Sequence, residues 1–455
     1  MRAKCFIFLF FYFFIFSPSR AQQPWTLRQC ADYAVSHSIV VKQRENQLRQ
    51  EEVQLSTARN SRLPDLNASA GESFSFGRGL TLDNTYANRS TSSTSFSVGT
   101  SIPLFTGFRI PNQLRLSELN LEAATRDLEK ARNDIRMQVA QAYVQVLYNM
   151  EIADVARRQI TIDSLQVARL QAFVGNGRAS RAELTQQQAI LAQARLTATQ
   201  ADNNRQLALL ALTQLLELPS PDGFSIVRPV IAENKSTEAA DSSLFTLRAS
   251  RSPLPSPELV YQEALAVKPE VAAQLLRLAA SERNIDIARS ASYPQLNFSA
   301  GLQSNYYKTN GLQADPFFTQ LKNNFSQYVG FNLSVPIFNR FATRNSIRSA
   351  RLAHEAQQLM LDDVKKNLYK EVQQVYYNAV AAQSRYVSSQ AALESSREAF
   401  RLMQAKYENG KATITEFNET KNNLLKTESD LVQARYEYLY QTALVDFYRG
   451  RELSF

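Results

Sequence analysis

The strongest constraint on the fold of this chain is an internal duplication. At an offset of 230 residues, Ala58-Arg59 aligns with Ala288-Arg289 and Pro64 aligns with Pro294. After a three-residue insertion the register continues at an offset of 233, where the pairs include Pro103 with Pro336, Phe108 with Phe341, Asn176-Gly177 with Asn409-Gly410, and Glu183 with Glu416. A register held over more than 100 residues indicates two copies of one structural unit. Such a repeat favours an elongated shell or conduit over a single catalytic cleft.

Residues 1–21 have the pattern of an export signal, because Arg2 and Lys4 precede an apolar run and Ser19-Arg20-Ala21 offers a small-residue cleavage site. The run of about 12 residues is shorter than the roughly 20 that a membrane-spanning helix needs. An uncleaved anchor is the alternative interpretation. We expect no transmembrane helix in the mature chain, so any insertion into a membrane must use strands.

The charge distribution argues against a nucleic-acid-binding protein, and the cysteine content argues against a disulfide framework. The chain has 51 basic and 42 acidic residues, but they are scattered over predicted helical faces, which argues against nucleic-acid binding. Cys5 leaves with the signal, so Cys30 stands alone and cannot form an internal disulfide. We expect Cys30 to be a buried apolar thiol.

Each copy is predicted to contain a helix, a strand pair, a very long helix, a glycine-containing turn and a second helix. The predicted domains are a first repeat over 22–217, a proline-rich linker over 218–256 and a second repeat over 257–455. The opening helices are expected at 25–61 and 257–292, with breaks near Ser38 and Lys268-Pro269.

Four segments alternate between apolar and small polar residues with a period of two, namely 66–76, 95–104, 296–306 and 325–337. Strict alternation predicts strands with one apolar and one polar face. The polar face is small and uncharged, which is compatible with a water-filled lumen, and the apolar face would meet lipid. A half-buried sheet of a soluble sandwich is the alternative. The intervening segments, 77–94 and 307–324, are expected to be loops because they are rich in Asn, Ser, Thr and Gly.

The longest helices are predicted at 108–173 and 340–407. At 1.5 Å per residue, such a helix is about 100 Å long, which a single globular core does not need. Their apolar stripes are narrow, and the returning helix near 413–448 places an apolar residue at every seventh position from Phe417 to Val445. This spacing is typical of a coiled-coil seam.

Four strands cannot close a sheet, and an open edge in lipid leaves backbone groups without hydrogen bonds. Two copies would give eight strands around a filled interior, whereas three would give twelve around a lumen. The small residues of the polar face favour three. The predicted fold class is therefore mainly α with β: a duplicated unit whose trimer forms a 12-stranded transmembrane β-barrel, four strands per chain, joined to a long α-helical coiled-coil barrel.

The residues before the two long helices, 101–107 and 334–339, read Ser-Ile-Pro-Leu-Phe-Thr-Gly and Ser-Val-Pro-Ile-Phe-Asn. With the Ala-Arg-x4-Pro-x-Leu motifs that begin at Ala58 and Ala288, this pattern resembles that of TolC-like outer membrane efflux proteins (the outer membrane factor family). The resemblance covers essentially the mature chain. It implies a homotrimer in the outer membrane of a Gram-negative bacterium, with its helical barrel in the periplasm.

The same resemblance implies partners and a mechanism. The chain would be a passive exit duct for efflux or type I secretion, working with a periplasmic adaptor (membrane fusion) protein and an inner-membrane pump. Small molecules or polypeptides would pass through it, and the sequence does not identify the cargo. A trimeric adhesive coiled-coil protein without transport is the alternative, and a periplasmic adaptor is a third option that the strand pattern disfavours.

The family's periplasmic aperture maps onto residues around the two glycine-containing turns. The resemblance assigns Glu183, Glu416, Glu419, Tyr407 and Lys411 to this aperture and Gly177 and Gly410 to the turns. Rings of carboxylates narrow a pore and favour cations, and they could pair with Lys411, Arg178 or Arg181 to hold it shut. The alternative is that these acids only stabilise helix N-termini. A basic residue that some members carry in the turn falls here on Ala412.

The sequence offers no catalytic, cofactor or metal site, and we expect the chain not to be an enzyme. Its two histidines, His37 and His354, lack partners at metal-ligand spacing. Nucleophile-elbow, P-loop and dinucleotide-binding motifs are also absent from the sequence.

Overall fold

The computed structural model describes residues 24–80, 84–228 and 254–453. The expected export signal lies outside these residues, as does the part of the predicted linker from 229 to 253. Within the described ranges, no helix combines the length and the apolarity that crossing a membrane requires.

The chain forms two compact units. The strand unit consists of Val40–Ala131 and Tyr261–Glu371, and the helical unit of the described residues within Met1–Ile39, Arg132–Val260 and Val372–Phe455. Each unit takes elements from both predicted repeats, so the repeat boundaries stay a prediction.

Nine helices lie in the described residues: α1 Leu27–His37, α2 Ile39–Asn60, α3 Arg109–Gly175, α4 Arg181–Leu215, α5 Pro257–Val267, α6 Pro269–Ser290, α7 Phe317–Asn323, α8 Ala342–Glu408 and α9 Ile414–Tyr448. The predicted breaks at Ser38 and Lys268 are confirmed. Pro269 opens α6 because its fixed φ suits the first helical position and its missing N–H would have no partner there. The two long helices are also confirmed, each within two residues of its expected ends.

The four strands form one antiparallel sheet in the order β1-β2-β3-β4. They are β1 Asn67–Leu80, β2 Tyr86–Thr106, β3 Gln295–Thr309 and β4 Ser326–Ser334. The register aligns Ile102, Phe298 and Phe331 across three strands, so the apolar positions share one face. On the other face, the ring of Tyr328 lies over Gly301, where an added Cβ would approach it to 2.8 Å. The predicted alternation of the strands is therefore confirmed.

The prediction that 77–94 is a loop is wrong, and the same prediction for 307–324 is wrong where β3 continues to Thr309 and where α7 forms. β1 and β2 pair almost to their turn, from Asn67 opposite Gly99 to Leu80 opposite Tyr86. Ser, Thr and Asn carry no apolar signal, yet their backbones pair as well as any others once a partner strand lies alongside. β4 is instead shorter than expected, and Pro336, which follows it, cannot donate a ladder hydrogen bond.

The connection from β3 to β4 contains α7, which caps an edge of β3. Pairing between β3 and β4 stops at Gln303 opposite Ser326. Farther along β3, the side-chain amide of Gln320 accepts from the Tyr307 N–H (2.9 Å) and donates to the Tyr307 carbonyl (3.1 Å). Asn324 Nδ2 donates to the Asn305 carbonyl at 2.7 Å. These amides take the place of a strand at the edge that β4 does not reach.

The duplication is visible in the backbone at the two junctions from strand to helix. Gly107 and Phe108 both have positive φ, 64° and 67°, and their counterparts Arg340 and Phe341 have φ of 56° and 61°. Two consecutive left-handed residues are uncommon, so their recurrence at the 233-residue offset shows the same turn built twice. Only the first copy requires glycine for space, because a Cβ on Gly107 would lie 2.5 Å from the carbonyl oxygen of Ser290.

In the helical unit, Trp25 and Ile226 form a parallel bridge. The hydroxyl of Tyr143 on α3 donates a bifurcated hydrogen bond to the carbonyls of Val227 (2.9 Å) and Trp25 (3.2 Å). Cys30 is 0% exposed, and burial raises the pKa of its thiol to about 12. The predicted buried thiol is confirmed.

Candidate functional site

The tips of the helical unit are two turns of the same design, one between α3 and α4 and one between α8 and α9. Gly177 and Gly410 have φ of 69° and 70°, with open space where a Cβ would lie. The N–H after each glycine donates back to a carbonyl five residues earlier, from Arg178 to Phe173 and from Lys411 to Lys406, both at 2.8 Å. This is the Schellman arrangement that ends a helix, and it requires the left-handed conformation that glycine adopts without strain.

Glu416 lies at the third position of α9, where it completes a capping box. Its carboxylate accepts from the Thr413 N–H at 2.7 Å, and Thr413 Oγ1 accepts from the Glu416 N–H at 3.3 Å. These donors, first the backbone N–H of Thr413 and then its hydroxyl, lower the pKa of Glu416. Glu183 is at the same position of α4, and Ser180 Oγ accepts from its N–H at 3.1 Å. The structure thus gives the Glu416 carboxylate a local structural purpose, whereas at Glu183 the capping contact involves the backbone N–H.

Glu419 and Lys411 are exposed at the same tip. Among the ion pairs of the described residues, none joins Lys411, Arg178 or Arg181 to Glu416 or Glu419. Within one chain these charges face solvent, so any ring they make needs other copies of the chain.

Tyr407 links the two repeats at the tip. Its ring stacks on Phe417 of α9, with centroids 4.9 Å apart, and its hydroxyl accepts a hydrogen bond of 2.7 Å from Gln166 Nε2 of α3. The Arg169 guanidinium lies 5.5 Å from the Tyr407 ring centroid and 3.9 Å from the Glu408 carboxylate. Burial raises the pKa of Tyr407, so its hydroxyl stays neutral at physiological pH.

Sequence reasoning missed a buried polar cluster above the tip. Lys421 of α9 donates to Asp163 of α3, and their side chains are 1% and 0% exposed. Gln187 of α4 and Asn418 of α9 are buried beside them. The sequence does carry a signal for this cluster in the seven-residue apolar repeats of α3 and α9. Asp163 falls three residues after Ile160 and Lys421 four after Phe417, so both charges occupy positions of the apolar seam.

A second polar group joins α3 to α9. Glu151 accepts from the hydroxyl of Tyr436 at 2.9 Å and pairs with Arg435. Desolvation first, and then the charge of Glu151, raise the pKa of Tyr436. This group borders a cavity of about 490 Å³ that also includes Arg158, Arg397 and Glu428. The acidic and basic side chains that line this cavity nearly balance in number, which favours a structural role.

The decisive comparison is with protein families. A model of the outer membrane efflux protein family matches residues 34–217 and 260–449, well over half of the chain. The chain belongs to the outer membrane efflux protein family. The two matched ranges correspond to the two halves of the duplicated sequence.

Curated relatives and solved structures agree with this family. The protein CyaE of Bordetella pertussis is 24% identical over 92% of this chain and 81% of its own length. The pyoverdine export outer membrane protein OpmQ of Pseudomonas aeruginosa is 25% identical, covering 82% of this chain and 74% of its own. In structure, the outer membrane protein VceC of Vibrio cholerae matches 94% of this chain and 97% of its own with a TM-score of 0.74 at 17% identity.

These findings make the chain an outer membrane efflux or secretion channel protein that extends into the periplasm. The expected fold class and the resemblance to TolC-like proteins are confirmed. The alternative of an adhesive protein without transport is therefore rejected.

Proposed function

We propose that three copies of this chain close a twelve-stranded barrel in the outer membrane and form one continuous exit duct. The observation that carries this proposal is the described sheet, in which β1 and β4 each pair with a single strand. In a bilayer an unpaired strand edge costs several kcal/mol per backbone group, so the edges must meet those of other copies. The apolar face formed by residues such as Phe298 and Phe331 would then contact lipid.

In this proposal the duct is passive and performs no catalysis. It receives cargo from an inner-membrane pump through a periplasmic adaptor, as the family resemblance implies. One relative is named for pyoverdine export and another, CzcC of Cupriavidus metallidurans, for cobalt-zinc-cadmium resistance. The cargo of this chain belongs to the same broad range of exported solutes and polypeptides.

The proposed periplasmic aperture is built from Glu183, Glu416 and Glu419 around the tips. Three copies of each carboxylate would form acidic rings that favour cations. The contacts of Tyr407 support a closed state, because α8 meets α3 there through weak links. Gln166 donates one neutral hydrogen bond to Tyr407, which contributes only about 0.5–1.5 kcal/mol, and the partly exposed Arg169 lies over the Tyr407 ring and near Glu408. A gate needs links that are this easily broken.

Planar-bilayer recordings of the purified protein test the proposal. We expect stable channels whose conductance rises, and whose preference for K⁺ over Cl⁻ falls, in Glu416→Gln/Glu419→Gln. Glutamine keeps an acceptor for the Thr413 N–H, so the capping box is retained while the charge is removed. Thr413→Ala is the matched control, because it weakens the cap but keeps both charges.

Channels with unchanged conductance and ion preference in the double variant would remove these acids from the aperture. A larger effect of Thr413→Ala on ion preference would assign the effect to the cap instead. Absence of any channel activity from the folded protein would contradict the duct itself.

A further inference from the structure

We propose that the buried cluster around Asp163 and Lys421 is a fixed joint between the two repeats, which confines opening to the helical segments on its tip side. The inference rests on the proposed duct and concerns how far its tip can move. The tip side comprises α3 beyond Asp163 and α9 before Asn418, together with the turns and the facing parts of α4 and α8.

The cluster ties three helices together with complementary donors and acceptors. Lys421 donates to Asp163 and, at 3.2 Å, to Asn418 Oδ1. Gln187 Nε2 of α4 donates to Asp163 Oδ1 at 3.2 Å, and Asn418 Nδ2 donates to Gln187 Oε1 at 3.0 Å. Gln159 Nε2 donates to the other oxygen of Asp163 at 2.6 Å. Separating α9 from α3 and α4 would leave a buried charge without its partner.

That separation is strongly disfavoured, whereas the links nearer the tip are weak. Removing one member of a buried ion pair is far more costly than removing an exposed pair, whose contribution is small. At the tip, Arg169 lies 3.9 Å from Glu408 with both side chains partly exposed, and Gln166 donates a single neutral hydrogen bond to Tyr407. Thermal motion or a partner would therefore break the tip links first and leave the cluster intact.

In the part of the chain that the structure describes, the joint occurs once although the fold is duplicated. At the 233-residue offset, Asp163 corresponds to Ser396 and Lys421 to Gln188, so the mirrored position has no matching pair of charges. The cluster therefore connects the first repeat to α9 of the second in one place. A trimer would contain three such joints at one level of the duct.

Hydrogen exchange of the wild-type trimer tests the joint without any substitution. Amides in both 156–163 and 164–170 lie inside α3, so helix ends do not distinguish the two segments. We expect the amides of the first segment to exchange about 100-fold more slowly than those of the second. Only the second segment loses its packing against neighbouring helices when the tip opens. A gradual change across α3, with no step near Asp163, would overturn the proposal.

Substitutions in the cluster test the joint through both hydrogen exchange and channel conductance. Lys421→Met leaves Asp163 buried without a counter-charge, and we expect it to abolish the exchange step and to raise the largest conductance level of the trimer. In Asp163→Asn/Lys421→Met no charge is stranded, so both properties should return towards wild type. Asp202→Asn removes a solvent-accessible ion pair between α3 and α4 (Arg157–Asp202, 2.5 Å), together with the pair between Asp202 and Arg205 inside α4, and should change neither property.

Wild-type exchange and conductance in a correctly assembled Lys421→Met trimer would contradict the joint, as would equal effects of Asp202→Asn. If Lys421→Met does not assemble, the exchange step of the wild-type protein still decides the question. A trimer that shows the step but conducts no ions would contradict the proposed duct and leave the joint standing.

Discussion

Glu416 combines two roles in one side chain. Its carboxylate completes the cap of α9 and also carries the charge that the proposed aperture requires. The two roles are compatible because the cap stabilises the ionised form, which is the form that favours cations. The cap's contribution is fully present above the ordinary glutamate pKa and is lost as the pH falls through the lowered pKa of Glu416.

The lowered pKa predicts how ion preference responds to acid. In Glu183→Gln/Glu419→Gln, Glu416 is the remaining acid of the proposed aperture, and we expect cation preference to persist below pH about 4.3, the ordinary glutamate value. Adding Thr413→Ala removes the hydroxyl donor and should move the loss of preference to higher pH. Reversal potentials in a KCl gradient measure both. Loss of preference above the ordinary value in the first variant would contradict the assignment.

At the scale of elements, the strand-to-helix junctions and the short helix α7 meet requirements of the backbone that the hydrophobic pattern of the sequence does not show. Each junction passes from strand to helix through two left-handed residues, and α7 supplies an amide to the part of β3 that β4 does not reach. Both features satisfy backbone geometry or backbone hydrogen bonds rather than burying apolar surface.

The junctions predict opposite effects for matched substitutions. Gly107→Ala should destabilise the trimer by about 2–5 kcal/mol, because a Cβ adds left-handed strain and a collision with the Ser290 carbonyl. Arg340→Gly relieves the same strain at the equivalent position and should be neutral or stabilising by up to about 1 kcal/mol. The temperature at which the purified trimer dissociates reports both. A larger loss for Arg340→Gly would refute this account.

The edge cap predicts a specific role for one glutamine. Gln320→Leu leaves the N–H and carbonyl of Tyr307 without their side-chain partner, which should cost about 1–3 kcal/mol in trimer stability. Gln313→Leu is the matched control, since Gln313 is an exposed glutamine in the same connection. Heat-induced dissociation of the two variants should differ clearly, and equal midpoints would show that the cap contributes nothing.

At the scale of the whole molecule, the proposed trimer follows from the backbone groups that the strand edges of a single chain leave unpaired. The described sheet has β1 at one edge and β4 at the other, so copies related by rotation present complementary edges to one another. Closure removes both edges at once, which an isolated chain in lipid cannot do.

Closure predicts covalent trimers. A cysteine at Ser73 in β1, combined in turn with cysteines along Ser326–Ser334 of β4, should yield disulfide-linked trimers for one or two neighbouring positions. Cys30 is buried with a raised pKa and should not interfere. Intramolecular products alone, or uniform cross-linking along β4, would contradict pairing between β1 and β4 of adjacent copies.

Much of this architecture was predictable from sequence. The helix breaks at Ser38 and Lys268, the long helices and the alternating strands depend on local chemistry: a missing N–H, a seven-residue apolar repeat, a period of two. The tip turns and the helix-start position of Glu416 are equally local, because each involves residues close together in the chain.

The tertiary structure decided those features that depend on contacts between residues far apart in the sequence. The pairing of Ser- and Thr-rich segments in β1 and β2 requires a neighbouring strand, and α7 forms against an edge that β4 leaves open. Gln166 and Tyr407 are 241 residues apart, and Asp163 and Lys421 are 258 apart. By itself the sequence determined the duplicated order of helices and strands, since periodicity records which side of each element avoids water. Only the fold decided which charges became buried, because burial depends on three helices closing around the same point.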